Sequence, residues 1–331
     1  MNLNRTPQTP PLINRIPEGV SQPLWSVMIP TYNCIRYLEE TMKSVLQQAL
    51  PEDAMQIEVI DDCSSDGDVE ALVYTVGKGR IHYHRKEENS GSLRNFETCI
   101  NRARGQLVHI LHGDDIVRPG FYTTIERVFN EHPHVGACYS SYDYIDEKGQ
   151  NVWPIQQLQE REGIIEDWLE KIALNNLVQP PAMVVKREVY EHLGSFFAVH
   201  YGEDWEMWTR IAAHYPVAFS PQHLASYRVH TTNITTRSIL TGQNVKDIQK
   251  VIRIISDYLP YDKRKTLTAI ATRNFALYFA ALSDKIYHEH RNRKAAVVQA
   301  VMSARMYPTP ATLRQVAKIL VKCAINYERR Y

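Results

Sequence analysis

The sequence predicts an α/β fold, with a mixed, mainly parallel sheet flanked by helices and a C-terminal helical extension. Three observations predict it. Short apolar runs alternate with helix-period segments over residues 25–140, the β-α-β order that builds parallel sheets with helices on both faces. Several of the apolar runs end directly in polar or acidic clusters. From about residue 241 onward the periodicity is helical.

The elements follow in order. WSVMIP (25–30) is an apolar run closed by proline and predicts a buried strand. Residues 35–48 carry Ile35, Leu38, Met42, Val45 and Leu46 at helical spacing. QIEVID (56–61) predicts a second strand ending in acids, and RIHYHR (80–85) a third with Ile81 and Tyr83 alternating. Residues 92–103 predict a helix, QLVHIL (106–111) a strand, 121–131 a helix and VGACYS (135–140) a strand. DEKGQ (146–150) is a turn, and 166–175 and 203–213 predict helices. Thr309-Pro310 marks a later helix start, a threonine cap followed by proline at the first helical position. The expected division is a mobile Pro-rich tail over 1–24, a sheet domain over 25–235 and a helical extension over 236–331.

Composition narrows the function. A formal net charge of +1 exerts no global pull on nucleic acid or anionic membrane. Five cysteines, an odd number without C-x-x-C spacing, point to free thiols in a reducing compartment. The N-terminus lacks the apolar core of a secretory signal, and no stretch reaches the roughly 18 apolar residues that cross a membrane. A cytoplasmic protein, soluble or peripheral at the inner face of the membrane, is expected.

Polar clusters follow four strands: Thr31-Tyr32-Asn33, Asp61-Asp62, Asn89-Ser90-Gly91 and His112-Gly113-Asp114-Asp115. Ligands of parallel sheets bind beyond the carboxyl ends of the strands, so these clusters should converge on one edge. Asp61-Asp62 in IDDCSSDG suits hydrogen bonding to a base or ribose, and equally a turn with a helix cap. In HGDD, clustered carboxylates repel and call for a cation such as Mg²⁺ or Mn²⁺; acids before a helix also suit its N-terminus. GEDWEMW (202–208) sets Glu203 and Asp204 beside Trp205 and Trp208. A carboxylate there can acquire the raised pKa of a base, or can cap the helix.

Together these segments resemble something more specific. PLWSVMIPTYNCIRYLEETMKSVLQQ (23–48), EVIDDCSSDG (58–67), ENSGSLRNFETCINRARGQLVHILHGDD (88–115), QPPAMVVKREVYEHLGSF (179–196), GEDWEMWTRIA (202–212) and YRVH (227–230) resemble, in order and spacing, the family 2 glycosyltransferases of GT-A fold. The resemblance covers roughly residues 24–235. It implies an inverting, metal-dependent transferase working with Mn²⁺ or Mg²⁺ on a nucleotide-sugar donor, UDP- or dTDP-linked, and a carbohydrate or lipid-linked glycan acceptor in polysaccharide assembly.

By matching position, Pro30, Thr31, Tyr32 and Asn33 border the nucleoside, Asp62 meets the base with Asp61 beside it, and Asn89, Gly91 and Arg94 belong to the segment closing over the donor. Asp114 is the implied metal ligand, with Asp115 following it, Asp204 the catalytic base, and His230 a further metal ligand or diphosphate contact. Gln179, Glu203 and Trp205 fall on the acceptor side. One departure stands out: His112 occupies the place of the first aspartate of D-x-D.

Two other readings remain. A sugar nucleotidyltransferase would carry a Gly/Lys-rich phosphate loop where this chain has IPTYNC. A catalytically degenerate nucleotide-sugar-binding or scaffold protein finds support in His112 alone. In 311–325, Leu313, Val316, Leu320 and Cys323 recur at helical spacing, while Arg314, Lys318 and Lys322 form a basic stripe. That stripe fits a solvated face or a membrane-surface face.

Overall fold

The computed structural model describes residues 5–153, 159–231 and 233–327. Strands are β1 (Trp25–Thr31), β2 (Met55–Asp61), β3 (His82–Arg85), β4 (Leu107–Ile110), β5 (Ile116–Val117), β6 (Ala137–Ile145), β7 (Asn151–Trp153), β8 (Gly163–Ile164), β9 (Met183–Lys186) and β10 (Val217–Arg228). Helices are α1 (Ile35–Leu46), α2 (Val69–Gly77), α3 (Ser92–Arg102), α4 (Phe121–Glu131), α5 (Trp168–Ile172), α6 (Arg187–Leu193), α7 (Glu203–His214), α8 (Ile234–Thr241), α9 (Gln243–Ser256), α10 (Tyr261–His288), α11 (Arg293–Met306) and α12 (Pro310–Ala324).

The chain divides into two compact units. Unit one comprises Met1–Trp168, Val178–Ala198 and Arg210–Val229; unit two comprises Leu169–Leu177, Val199–Thr209 and His230–Tyr331. The helical extension was expected from 236, and the last segment of unit two runs from His230. Unit two, however, also takes two short segments from inside the range assigned to the sheet domain.

Unit one holds one sheet in the order β3-β2-β1-β4-β9-β6-β10-β5, with β7 on β6 and β8 on β10. The β3-β2-β1-β4 portion is parallel. β9 runs antiparallel between β4 and β6, and β5 is antiparallel to β10. β1 and β2 are buried along their whole length, as expected for strands covered on both faces. Helix starts are set locally. Asp68 Oδ1 accepts from Ala71 N to cap α2, and Asp66 Oδ2 accepts from Ile35 N to cap α1 across the loop. Thr309 caps α12 with Pro310 in its first turn, as the sequence predicts.

The expected mobile tail is corrected for residues 5–14, which pack against the rest of unit one; residues 1–4 fall outside the described residues. Pro7 O accepts from Ala198 N and Pro11 O from Ser195 N. Asn14 is held by the Asn101 amide oxygen and by Arg187, and Ile13 is buried. Prolines keep this segment extended, so its carbonyls face outward and find donors that a disordered tail would leave to water.

Unit two is helical. Ile286, Tyr287, Ala295, Ala296, Ala300 and Ile319 form one core cluster among α10, α11 and α12. Ala173, Leu259 and Leu267 form a second.

Candidate active site

Strand register builds the site. Thr31 is paired with Asp61 across β1–β2, and Met28 with Ile110 across β1–β4. The loops after β1, β2 and β4 therefore leave the sheet side by side. Gly113 N donates to Pro30 O at 3.1 Å, drawing the HGDD loop onto the PTYN loop. A Cβ on Gly113 would stand 2.9 Å from both Cys34 Sγ and Thr31 Oγ1, so only glycine permits this approach. Pro30 sits at the end of a central strand, where a missing N–H is tolerated. Thr31 is buried, Tyr32 is exposed, and Asn33 adopts the left-handed conformation at φ 51°. The Asn33 side chain accepts from Ser65 N, and its own N–H donates to Ser64 Oγ, tying the PTYN loop to the IDDCSS loop.

Asp61 is buried and saturated by the chain. Its Oδ1 accepts from Ser64 N at 2.9 Å, and its Oδ2 accepts from Tyr83 OH at 2.8 Å and Arg85 Nη1 at 2.5 Å. Burial pushes the Tyr83 phenol up to about 12, so it serves as a permanent donor. Asp62 does for the next loop what Asp61 does for its own. Its Oδ1 accepts from Ser90 N and Oγ, its Oδ2 accepts from Gly91 N at 2.8 Å, and Lys86 Nζ lies 3.3 Å away. Gly91 has φ +88° and starts α3. Arg5 from the N-terminal segment donates to Asn89 and lies over Gly91. Arg94 pairs with Glu97 at 2.6 Å.

His112, Asp114 and Asp115 gather just beyond β4, with ligand atoms all within 4.8 Å of one another. His112 stacks on Phe96 at 5.2 Å with rings 3° apart. Burial lowers its pKa against the opposing charge of Asp114, so the imidazole is neutral. Asp115 Oδ1 accepts from Arg228 N at 2.8 Å. Its Oδ2 is buried without a hydrogen-bond partner, with His112 Nδ1 3.7 Å away. Burial, and then Asp114, raise the Asp115 pKa well above the carboxylate range. A cluster with an unpartnered buried oxygen and an imidazole free of charge fits a divalent cation, since two carboxylates plus one imidazole suit Mn²⁺ or Mg²⁺.

Sequence reasoning missed four residues that hold these groups. Arg228 is buried; its Nε donates to Asp114 O, its Nη1 to Asp146 O and its Nη2 to Glu40 Oε2 at 2.6 Å. It stands two positions before His230 in YRVH, with no acid near it in the sequence to signal its role. Tyr83, Arg85 and Lys86 lie on and after β3; a basic, alternating strand next to Asp61-Asp62 was the signal there.

The acceptor-side expectations divide. Gln179 is partly buried and its Nε2 donates to Tyr144 OH at 3.3 Å. The Pro180–Ala182 turn beside it is held by His109, whose Nε2 is 2.9 Å from Pro181 O. Burial lowers the His109 pKa to about 4, so this ring is neutral and donates. In unit two, Asp204 is buried. Its Oδ2 accepts from Asn176 Nδ2 at 2.9 Å and its Oδ1 from Trp205 N at 2.7 Å. Burial still raises its pKa, and burial together with Asp204 raises that of Glu203. Trp205 is corrected. It is fully buried, its Nε1 donates to Ile172 O at 2.6 Å, and its ring lies 4.6 Å from Phe275, so it is a core anchor with no face for a sugar. His230 falls in unit two, buried, with its carbonyl accepting from Thr236 Oγ1; the His112-Asp114-Asp115 cluster does not include it.

Comparison with known proteins places the chain. The family model for glycosyl transferase family 2 matches residues 26–194. An uncharacterised protein of Mycobacterium tuberculosis is 30% identical over 244 residues, spanning 70% of this chain and 75% of the relative. A candidate teichuronic acid biosynthesis glycosyltransferase of Bacillus subtilis is 40% identical over 95 residues, 28% of this chain and 37% of its own length. Among solved structures, S. aureus TarS 1–349 in complex with UDP-GlcNAc superposes with a TM-score of 0.61 at 15% identity, over 92% of this chain and 93% of that one. The mannosyltransferase PcManGT from Pyrobaculum calidifontis, in complex with GDP-Man and Mn²⁺, gives 0.57 at 19% identity, over 93% and 83%. At these identities the structural likeness speaks for the fold, which is GT-A.

Proposed function

Because this chain belongs to glycosyl transferase family 2, we propose that it moves a sugar from a nucleotide-sugar donor to an acceptor hydroxyl with inversion. The observation that carries this reading is the His112-Asp114-Asp115 cluster at the sheet edge, with its unpartnered buried carboxylate oxygen, beside the loops held by Asp61 and Asp62. Nothing in the fold alone would choose this chemistry.

Pro30, Thr31, Tyr32 and Asn33 border the nucleoside, and Asp62 with Asn89, Gly91 and Arg94 receives the donor. Asp62 now spends its oxygens on Ser90 and Gly91, so base recognition through it exchanges one of these bonds for one to the nucleotide. A Mn²⁺ or Mg²⁺ ion held by Asp114, Asp115 and His112 would supply positive charge against the growing charge of the diphosphate. Arg94 adds a guanidinium suited to phosphate. Asp204 takes the proton of the attacking hydroxyl, and burial raises its pKa in the direction that strengthens a carboxylate as a base. Glu203 and Gln179 orient the acceptor. UDP- or dTDP-sugars are the favoured donors. A carbohydrate or lipid-linked glycan is the acceptor class, in line with the teichuronic acid role named for the Bacillus relative.

Thermal shift with a panel of nucleoside diphosphates and their sugars, with and without Mn²⁺, tests the reading. Metal-dependent stabilisation by one nucleoside identifies the donor class. If no nucleotide stabilises the protein in either condition, the transferase reading gives way to a scaffold that has lost its donor site.

A further inference from the structure

Between His290 and Tyr327 the chain carries seven Lys/Arg residues (Arg291, Arg293, Lys294, Arg305, Arg314, Lys318 and Lys322) and no Asp or Glu, in a protein whose whole formal charge is +1. This stretch is the α11–α12 hairpin of unit two. Ile319 is fully buried in its core, with Val316 and Cys323 packed against the same cluster. The sequence pattern places Leu313 and Leu320 with Val316 and Cys323 on one apolar face and the three cations of α12 on another. The structure reverses part of this. Lys318 and Lys322 turn to Asp284 of α10 at 3.1 and 2.6 Å, whereas Leu313 is 56% exposed, Leu320 49%, Val321 57% and Ile325 65%. Ala317 and Ala324 are exposed between them. α12 therefore has two apolar faces, one inside the hairpin and one bare.

Cations sit at the end of that bare face. Arg293, at the start of α11, donates to the Asn326 side chain at 2.5 Å. Arg293 therefore lies next to the residue that follows Ile325, with the exposed Arg291 and Lys294 flanking it in sequence, while the exposed Arg314 follows Leu313. A bare apolar stripe edged by cations, on a hairpin without a single acid, is complementary to a surface that is apolar within and anionic at its rim. From this we propose that the α11–α12 hairpin docks on an anionic lipid bilayer, seating Leu313, Leu320, Val321 and Ile325 at the headgroup–acyl boundary with the cations against lipid phosphates. A protein partner would need an acidic, apolar groove; a second copy of this hairpin would bring the exposed Arg291, Arg293, Lys294 and Arg314 against the same four cations, which works against self-association. The inference concerns unit two alone and does not depend on the transferase reading.

The test is vesicle flotation of the full chain, with 30% phosphatidylglycerol in phosphatidylcholine against pure phosphatidylcholine, at low and high salt. Light scattering and thermal unfolding run alongside. The wild type is expected to float with the anionic vesicles at low salt only. L320Q/V321Q/I325Q should float at least about tenfold less with an unchanged melting temperature, because these side chains make the outer face. R291Q/R293Q/K294Q should lose the preference for anionic lipid. The proposal is overturned if the wild type stays with the soluble fraction, or if the triple Gln variant floats as well as wild type. A wild-type dimer dissolved by the same three Gln substitutions also overturns it, since the face then belongs to a second copy.

Discussion

Asp61-Asp62 and Asp114-Asp115 are both adjacent aspartates at the carboxyl edge of a parallel strand, yet they live differently. The first pair is saturated by the chain: a backbone N–H, a phenol and a guanidinium on Asp61; Ser90, Gly91 and Lys86 on Asp62. In the second pair Asp115 is left short, with one buried oxygen unpartnered and its pKa driven up by burial and by Asp114. The saturated pair secures loops, and the open oxygen of Asp115 stores a binding capacity that costs stability until a cation arrives. Asp204 differs from both: its two oxygens accept from the neutral donors Asn176 Nδ2 and Trp205 N, and burial raises its pKa.

The largest effect should fall on Asp204. Asp204→Asn keeps the size and the neighbours but removes the base, so turnover should drop about 10²–10⁴-fold while nucleotide affinity stays within about twofold. Full transfer activity in that variant would place the base elsewhere. Asp114→Ala should abolish the Mn²⁺-dependent part of donor binding by calorimetry and cost about 10² or more in turnover, with little change in metal-free stability. A metal-dependent affinity equal to wild type would erase the contrast between the two pairs.

Asp61→Ala should do the reverse. It orphans Tyr83 OH, Arg85 and Ser64 N, at a cost of about 2–3 kcal/mol by urea unfolding; Arg85 reaches water, which keeps the loss below that of a fully buried pair. A neutral result would mean that the loops hold without their carboxylate.

The smallest effect is a matter of pH. The folded-state pKa of Glu203 is raised by burial and by Asp204, so the folded protein holds a proton that the unfolded chain releases near pH 4. The stability tied to that proton is present below this value and is lost as pH rises toward the raised folded pKa. Glu203→Gln removes the loss. Its melting temperature should exceed that of wild type at pH 8 and converge with it toward pH 4; a constant gap across this range would show that Glu203 does not carry the effect.

Much of this site was legible because its signals are local. The strand ends, Gly91 before a helix and the HGDD carboxylates each stand next to the apolar run that positions them, and β1, β2 and β4 bring them together in register. The residues that hold the site were not legible. The Arg228 guanidinium reaches Glu40 across 188 positions, and no periodicity encodes which distant acid a buried arginine will meet. Trp205 misled for a related reason: an indole beside two acids reads alike whether it faces a ligand or, as here, Phe275. The N-terminal segment looked mobile because its composition is that of a tail, but its partners Ser195 and Ala198 lie far along the chain.

By itself, then, the sequence determined the alternation of strands and helices, the family and the sheet edge where polar clusters meet, since these follow from periodicity and from residues close to one another along the chain. Only the tertiary structure decided which aspartates are saturated and that Asp115 keeps an open oxygen, which tryptophan is core, and which face of α12 stays bare. Those outcomes depend on burial and on long-range pairing, and a carboxylate acquires its chemistry from the donors that folding brings, or fails to bring, within reach.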